Sequence, residues 1–246
     1  MFSIFKKKYT AKNDFSRLST DMHSHLLPGI DDGSTGVNNS IELIKGLQEL
    51  GFKKFITTPH IFWDMYKNDA TTIESARLAL EKEMERIQVI TPLQTAAEYY
   101  LDDYFDGLLE KNTPLLTIKD MMVLVEFSFI APSANFKQQL FQLQIKGYQP
   151  VLAHPERYLY LSNNKKMFDE MKNSGCLFQL NLLSLTGYYG KPTADLAHYL
   201  IKMNYIDLLG TDLHHLRHLE ALRLSPAIMT PISTLLDSGR ILNPTL

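Results

Sequence analysis

Thr20-Asp21-Met22-His23-Ser24-His25 is a short strand-like run that ends in two side chains able to ligate a metal. The same form recurs along the chain. Residues 53–58, 93–99, 122–127, 150–154, 177–182 and 206–210 are also candidate strands, nearly continuous apolar runs of the kind found where a strand is buried on both faces. Amphipathic stretches separate them. In residues 40–50, Ile41, Ile44 and Leu47 recur at helical spacing, with Gly51 placed to end the helix. Thr71-Thr72-Ile73-Glu74 reads as a capping box, ahead of Ile73, Leu80, Met84 and Ile87 on one helical face. Residues 133–146, 163–174 and 193–203 also read as helices. Strand and helix thus alternate in about seven units, which predicts an α/β fold with mostly parallel strands. The length suits a distorted (β/α)7 TIM-like barrel. An open doubly wound sheet is the alternative, but neither GxGxxG nor GxxxxGK[ST] occurs.

Composition narrows the function classes. The 246 residues carry 25 basic and 27 acidic side chains, a net charge of −2, which is no electrostatic footprint for nucleic acid. Hydrophobic residues at 45% and charged residues at 21% fit a globular chain rather than a disordered one. One cysteine among 246 residues excludes an internal disulfide and a CxxC zinc site. No apolar stretch approaches the roughly 20 residues of a membrane span, and the N-terminus lacks a secretory h-region, so the expected location is cytoplasmic. Residues 1–19, with Lys6, Lys7, Lys8, Lys12 and Arg17 against Asp14, read as a basic solvated tail. Residues 20–246 read as a single domain.

The ionisable residues cluster at the strand ends. His23 and His25 close the first candidate strand and run on to Asp31-Asp32-Gly33; His60 follows the second. Glu98, Glu126 and His154 end the third, fourth and fifth, and Asp212 and His214 follow the seventh. In a parallel barrel the strand C-termini share one face, so these residues converge. Imidazole and carboxylate without thiolate suit Mn²⁺, Fe²⁺ or Zn²⁺, and so many ligands imply more than one ion. Two residues apart on a strand, His23 and His25 lie on one side about 6.6 Å apart along the backbone and can chelate together. Any one of these pieces has a bland reading as a turn or a satisfied buried group; their joint placement does not.

Together, His23-Ser24-His25 with Asp31-Asp32-Gly33, Thr57-Thr58-Pro59-His60, His154-Pro155-Glu156-Arg157 and Thr211-Asp212-Leu213-His214 resemble the polymerase-and-histidinol-phosphatase (PHP) superfamily. The run from Asp21 to Ser34 is most similar to the metal-dependent protein tyrosine phosphatases encoded with bacterial capsule and exopolysaccharide synthesis. The resemblance spans roughly residues 20–225 and implies a distorted barrel of about seven βα units. It implies three metal sites: His23, His25, Glu98 and Asp212; Glu98 shared with Glu126 and His154; and Asp32, His60 and His214. Two or three divalent ions are expected, with Mn²⁺ first and Fe²⁺ or Zn²⁺ also suited. Arg157 is implied as the catalytic phosphate contact, with Arg217 as a candidate second one.

The implied reaction is phosphomonoester hydrolysis by a metal-bridging hydroxide attacking phosphorus. The substrate would be a phosphotyrosyl protein, an autophosphorylated bacterial tyrosine kinase. Cys176 lies inside an apolar run with Leu182 six residues on, so the cysteine–arginine phosphatase chemistry is not available. Phe62, Trp63, Tyr66, Tyr99, Tyr100, Tyr188 and Tyr189 follow the strand ends; Trp63 and Tyr66 are candidate substrate contacts, although such rings also serve to pack loops. His198 is expected to be structural or exposed, and His215 and His218 to support ligands or lie at the surface. The alternatives are a small-metabolite phosphatase of the histidinol-phosphate type and a non-catalytic metal-stabilised binding module.

Overall fold

The structure, a computed structural model, describes residues 13–246. The chain runs β1 (Thr20–Asp21), α1 (Val37–Glu49), β2 (Lys54–Thr57), β3 (His60–Ile61), α2 (Ala70–Arg86), β4 (Leu93–Thr95), β5 (Glu98–Tyr100), α3 (Asp103–Glu110), β6 (Met122–Glu126), α4 (Phe136–Ile145), β7 (Gln149–Ala153), α5 (Lys166–Asn173), β8 (Leu177–Asn181), α6 (Lys191–Lys202), β9 (Leu208–Gly210), α7 (Leu216–Leu224) and α8 (Met229–Asp237). Every strand pairing is parallel. One sheet has the order β1-β2-β4 and the other β3-β5-β6-β7-β8-β9.

The α/β reading with parallel strands holds, but the strands do not form one continuous barrel ladder. The expected strand 53–58 appears as β2 and stops at Thr58-Pro59, where proline has no N–H to donate, before β3 starts at His60; the expected strand 93–99 breaks at Ala96-Ala97 into β4 and β5. The front halves pair Thr57 with Thr95 and the rear halves pair His60 with Glu98, with the same offset on both sides of the break. The break therefore bends the pairing without shifting its register. At the opposite edge the chain beyond β1 meets the chain beyond β9 through a single parallel bridge between Ser24 and Leu213.

Strand alternation divides the apolar residues between two layers. Phe55, Val123, Val125, Leu152 and Leu209 join the large core beneath the helices. Ile56, Leu124, Val151, Ala153 and Leu208 turn the other way into a smaller cluster with Met22, Ala96 and Ile118. Both faces of the sheet are therefore buried, as the continuous apolar runs imply.

Several expectations need correction. The α2 cap is Asp69, not Thr71: the Asp69 carboxylate accepts from the Thr72 N–H at 2.8 Å, and the Asp69 N–H donates to the Thr72 hydroxyl at 2.9 Å. Glu74 instead pairs with Arg77. The described part of the expected basic tail is packed. Phe15 and Leu18 are buried, and Phe15 stacks on Phe52 with centroids 5.1 Å apart. Lys6, Lys7, Lys8 and Lys12 lie outside the described residues. The structure adds β3, only two residues long, the short helix α3 between β5 and β6, and helices α7 and α8 after the last strand.

The cap assignment is open to direct test. Asp69→Ala is expected to lower unfolding stability by about 1 kcal/mol in urea titrations, and Thr71→Ala by less than about 0.5 kcal/mol.

Candidate metal centre

The breaks and strand ends bring nine ligand candidates together. His23 and His25 lie on the extended chain just past β1, held there by Thr58 N–H to Ser24 O (2.7 Å) and His25 N–H to Leu213 O (2.9 Å). Glu98 does not end a strand, as the sequence suggested, and His60, which does follow β2, opens a strand of its own. They are the paired first residues of β5 and β3, placed at the point where the sheets bend. Glu126 ends β6, His154 follows β7, and Asp212 lies two residues past β9. His154 (φ 31°) and Asp212 (φ 49°) both adopt left-handed backbone, turning their side chains back over the strand ends.

The donor atoms converge. The Nε2 atoms of His23 and His25 each lie 3.3–3.4 Å from Glu98 Oε2 and Asp212 Oδ1. His154 Nε2 lies 3.2 Å from Glu98 Oε1 and 3.5 Å from Glu126 Oε1. Asp32 Oδ1 is 3.6 Å from the Nε2 atoms of both His60 and His214. These separations are longer than charge-assisted hydrogen bonds. They match the roughly 3.4 Å edge of a tetrahedron whose metal–ligand bonds are about 2.1 Å. The buried atoms His23 Nε2, His25 Nε2, His60 Nδ1 and both Glu98 oxygens have no hydrogen-bond partner among the described residues. Buried polar atoms left this way are costly unless something else satisfies them, and this donor set fits a divalent cation.

His60 sits between two groups rather than in one. Its Nε2 faces Asp32, while its Nδ1 lies 3.2 Å from Glu98 Oε2 and 3.7 Å from Glu126 Oε2. His25 also comes within the Asp32, His60 and His214 group.

Charge explains what such a site needs. Burial, followed by the charges of Glu98 and Asp212, pushes the Glu126 carboxyl well above its ordinary range. Burial also acts to raise Glu98, but the facing imidazoles of His23 and His60 bring it well below that range. Burial and the neighbouring His25 hold His60 down at about 4, so the ring is neutral and one of its two nitrogens offers a lone pair to a metal.

Three of the imidazoles are fixed from behind, which the sequence did not reveal. His23 Nδ1 donates to Gln179 Oε1 (2.8 Å), His25 Nδ1 to Asp31 Oδ2 (2.8 Å), and His214 Nδ1 to the Asp212 carbonyl (2.9 Å). Each bond leaves Nε2 as the lone-pair side, aimed into the cluster. Asp31 Oδ2 also accepts the His60 N–H at 3.1 Å, so the two neighbouring aspartates divide their work. Asp31 orients imidazoles while Asp32 faces the cluster. Glycines admit the rings: a Cβ on Gly210 would lie 2.6 Å from the His23 Cβ, and one on Gly33 2.3 Å from the His25 Cβ.

Beside the cluster is a cavity of about 200 Å³ lined by Asp32, Arg157, Tyr189, Asp212, His214, His215 and His218. Arg157 Nη1 donates to Asp212 Oδ2 at 2.7 Å, and the guanidinium lies 4.6 Å from the Phe129 ring and 4.5 Å from that of Tyr189. The turn carrying it is anchored by Glu156, which accepts from the Ser184 hydroxyl (2.6 Å) and the Asn181 N–H (3.0 Å). Arg217 is exposed on α7 and does not line the cavity. Trp63 stacks on Tyr104 with centroids 4.2 Å apart, and Phe62 on Tyr100 at 4.0 Å, so both pairs pack loops. Tyr66 stacks on His60 at 5.4 Å. Tyr99 is buried, its hydroxyl accepting the Leu116 N–H at 2.8 Å. Of the loop aromatics, only Tyr189 lines the cavity.

Comparison with known proteins gives a consistent picture. Residues 19–229 match the family model for capsular polysaccharide synthesis, CpsB/CapC. The chain is 29% identical over 198 residues to the tyrosine-protein phosphatase YwqE of Bacillus subtilis, covering 80% of this chain and 78% of that one. It is 28% identical over 205 residues to the tyrosine-protein phosphatase CpsB of Streptococcus agalactiae, covering 80% and 83%. A crystal structure from work on YwqE of B. subtilis and CpsB of Streptococcus pneumoniae, described as metal-dependent tyrosine phosphatases, superposes with a TM-score of 0.76 at 27% identity, covering 85% of each chain.

The backing of the imidazoles is testable. Gln179→Ala removes the acceptor for His23 Nδ1 and is expected to weaken metal retention about 10–100-fold in competition with a chelator, with the fold intact by circular dichroism.

Proposed function

The chain belongs to the CpsB/CapC capsular polysaccharide synthesis family, and on that premise we propose that it is a metal-dependent tyrosine-protein phosphatase. The observation that carries this reading is the set of unpartnered, buried imidazole and carboxylate atoms converging beside an arginine-lined cavity. His23, His25, Glu98 and Asp212 would hold one ion; Glu98, Glu126 and His154 a second; Asp32, His60 and His214 a third. Mn²⁺ is the ion we assign, and the oxygen–nitrogen donor set accommodates Fe²⁺ or Zn²⁺ as well. Ions bound there would neutralise charge on the phosphoryl oxygens and lower the pKa of water.

The chain's own groups do the rest. Arg157 Nη1 is committed to Asp212, while its Nη2 and Nε have no protein partner among the described residues and can donate to a phosphoryl oxygen. Phe129 and Tyr189 hold the guanidinium plane between them, which limits its rotation. A tyrosyl leaving group departs as a phenolate with a pKa of about 10, so the reaction makes little demand for a protein acid. Cys176 is buried and its thiol is pushed up to about 12 by that burial, which removes it as a nucleophile.

The substrate is then a phosphotyrosyl protein, and an autophosphorylated bacterial tyrosine kinase acting in capsule or exopolysaccharide synthesis fits the family description. A cytoplasmic site of action follows from that substrate. No helix among the described residues is long and apolar enough to cross a membrane. Residues 20–246 are read as one domain, in keeping with the extent of the family match.

The deciding experiment is turnover of a phosphotyrosyl peptide, a phosphoseryl peptide and histidinol phosphate, with Mn²⁺ and with chelator. The phosphotyrosyl peptide should be preferred and chelation should abolish its turnover; preference for histidinol phosphate would mean a metabolite phosphatase instead. Cys176→Ala should retain wild-type kcat, and a loss of more than about tenfold would return the thiol to the mechanism. Arg157→Ala should raise KM and lower kcat with metal content unchanged by elemental analysis, a combined loss of about 100-fold or more in kcat/KM.

A further inference from the structure

We propose that His218, rather than Arg217, makes the second protein contact to the phosphoryl group of the substrate. The inference rests on the phosphatase reading and deepens it. Arg217 is exposed, whereas His218, one residue further along α7, is only 8% exposed and lines the same cavity as Arg157, Asp32, Asp212 and His214.

Hydrogen bonding fixes what His218 presents there. The His214 N–H donates to His218 Nδ1 at 3.3 Å, so that nitrogen is an acceptor. In the neutral ring the hydrogen then belongs to Nε2. Nε2 makes no hydrogen bond to protein among the described residues. The ring is also immobilised. His215 lies 3.9 Å from it, centroid to centroid, while Tyr188 at 5.3 Å, Tyr189 at 6.2 Å and His214 at 5.8 Å pack edge-on against it. His215 itself caps α7, its Nδ1 facing the His218 N–H at 3.3 Å, which fixes the backbone from which His218 projects.

The cavity therefore has two donors of different kinds: a cation, Arg157, tied to Asp212, and a neutral N–H on His218. A neutral donor suits that position. It can hydrogen-bond a phosphoryl oxygen without adding a like charge next to divalent ions held by His214 and Asp32. A guanidinium in the same place would contribute that repulsion.

The test uses the Mn²⁺-loaded protein with inorganic phosphate as the probe in calorimetry, alongside turnover of a phosphotyrosyl peptide. His218→Phe keeps the ring packing and removes the donor. His218→Asn keeps an acceptor for the His214 N–H but falls short of the Nε2 position, and it decides the matter if the phenylalanine variant does not fold. Each is expected to weaken phosphate binding about tenfold and raise KM by a similar factor, the effect of one lost hydrogen bond to a charged group. Metal content should be unchanged, and Arg217→Ala should stay within about twofold of wild type. Unchanged phosphate affinity in the folded His218 variants would overturn the proposal. So would a comparable loss in Arg217→Ala, loss of metal from the His218 variants, or failure of the wild type to bind phosphate. If the wild type binds phosphate but leaves the phosphotyrosyl peptide intact, the phosphatase reading fails, and the phosphate affinities still decide the role of His218.

Discussion

Glu98, Glu126 and Asp212 occupy one buried space, each at most 5% exposed, and their mutual repulsion is the constraint on which the site depends. Carboxylates so placed cannot all carry charge in a poorly solvated interior without compensating cations. Of the three carboxylates, Arg157 pairs with Asp212 alone. The imidazoles beside them are more useful as neutral ligands than as counter-ions, because a protonated ring cannot coordinate. The buried donor set therefore suits a divalent cation better than it suits an ordinary protein core. The bend at Thr58-Pro59 and Ala96-Ala97, the glycines against His23 and His25, and the bonds from Gln179 and Asp31 all serve to hold it together.

Gln179 shows how closely the parts are joined. Its Oε1 accepts from His23 Nδ1 and also from the His154 N–H at 3.2 Å, so one β8 side chain holds ligands from β1 and β7 in a single frame. Glu98 plays the corresponding part at the centre, with each oxygen facing a different group of imidazoles. Neither metal group can shift without moving the other.

Much of this was legible in the sequence, and the limits have physical causes. Apolar runs such as 122–127 and 150–154 mark doubly buried strands, and β6 and β7 coincide with them to within a residue at each end. His23, His25, Glu98 and Asp212 were readable as candidates because side chains from several parallel strands converge at one end of the sheet. The interruption at Thr58-Pro59 was not, since a bend that preserves register leaves no trace in hydrophobic periodicity. Gln179 and Asp31 were missed for a different reason: a residue that orients a ligand needs only a donor or acceptor, and many residue types provide one. Neither Arg217 nor Trp63 lines the cavity, because sequence proximity to a motif says nothing about which side of a helix or loop faces it. Adjacent positions on a helix diverge by about 100°, which is how His218 points inward where Arg217 does not.

The left-handed backbone at His154 and Asp212 also limits how this centre can change its chemistry. Few residues with a side chain tolerate positive φ, and histidine, aspartate and asparagine are prominent among them. At these two strand ends, coordination and conformation thus select from nearly the same short list. Exchange of one ligand for another, as would be needed to retune the site toward a softer or harder metal, is easier at Glu126 or His60, whose backbone is ordinary. The centre is adaptable on one side and conformationally locked on the other.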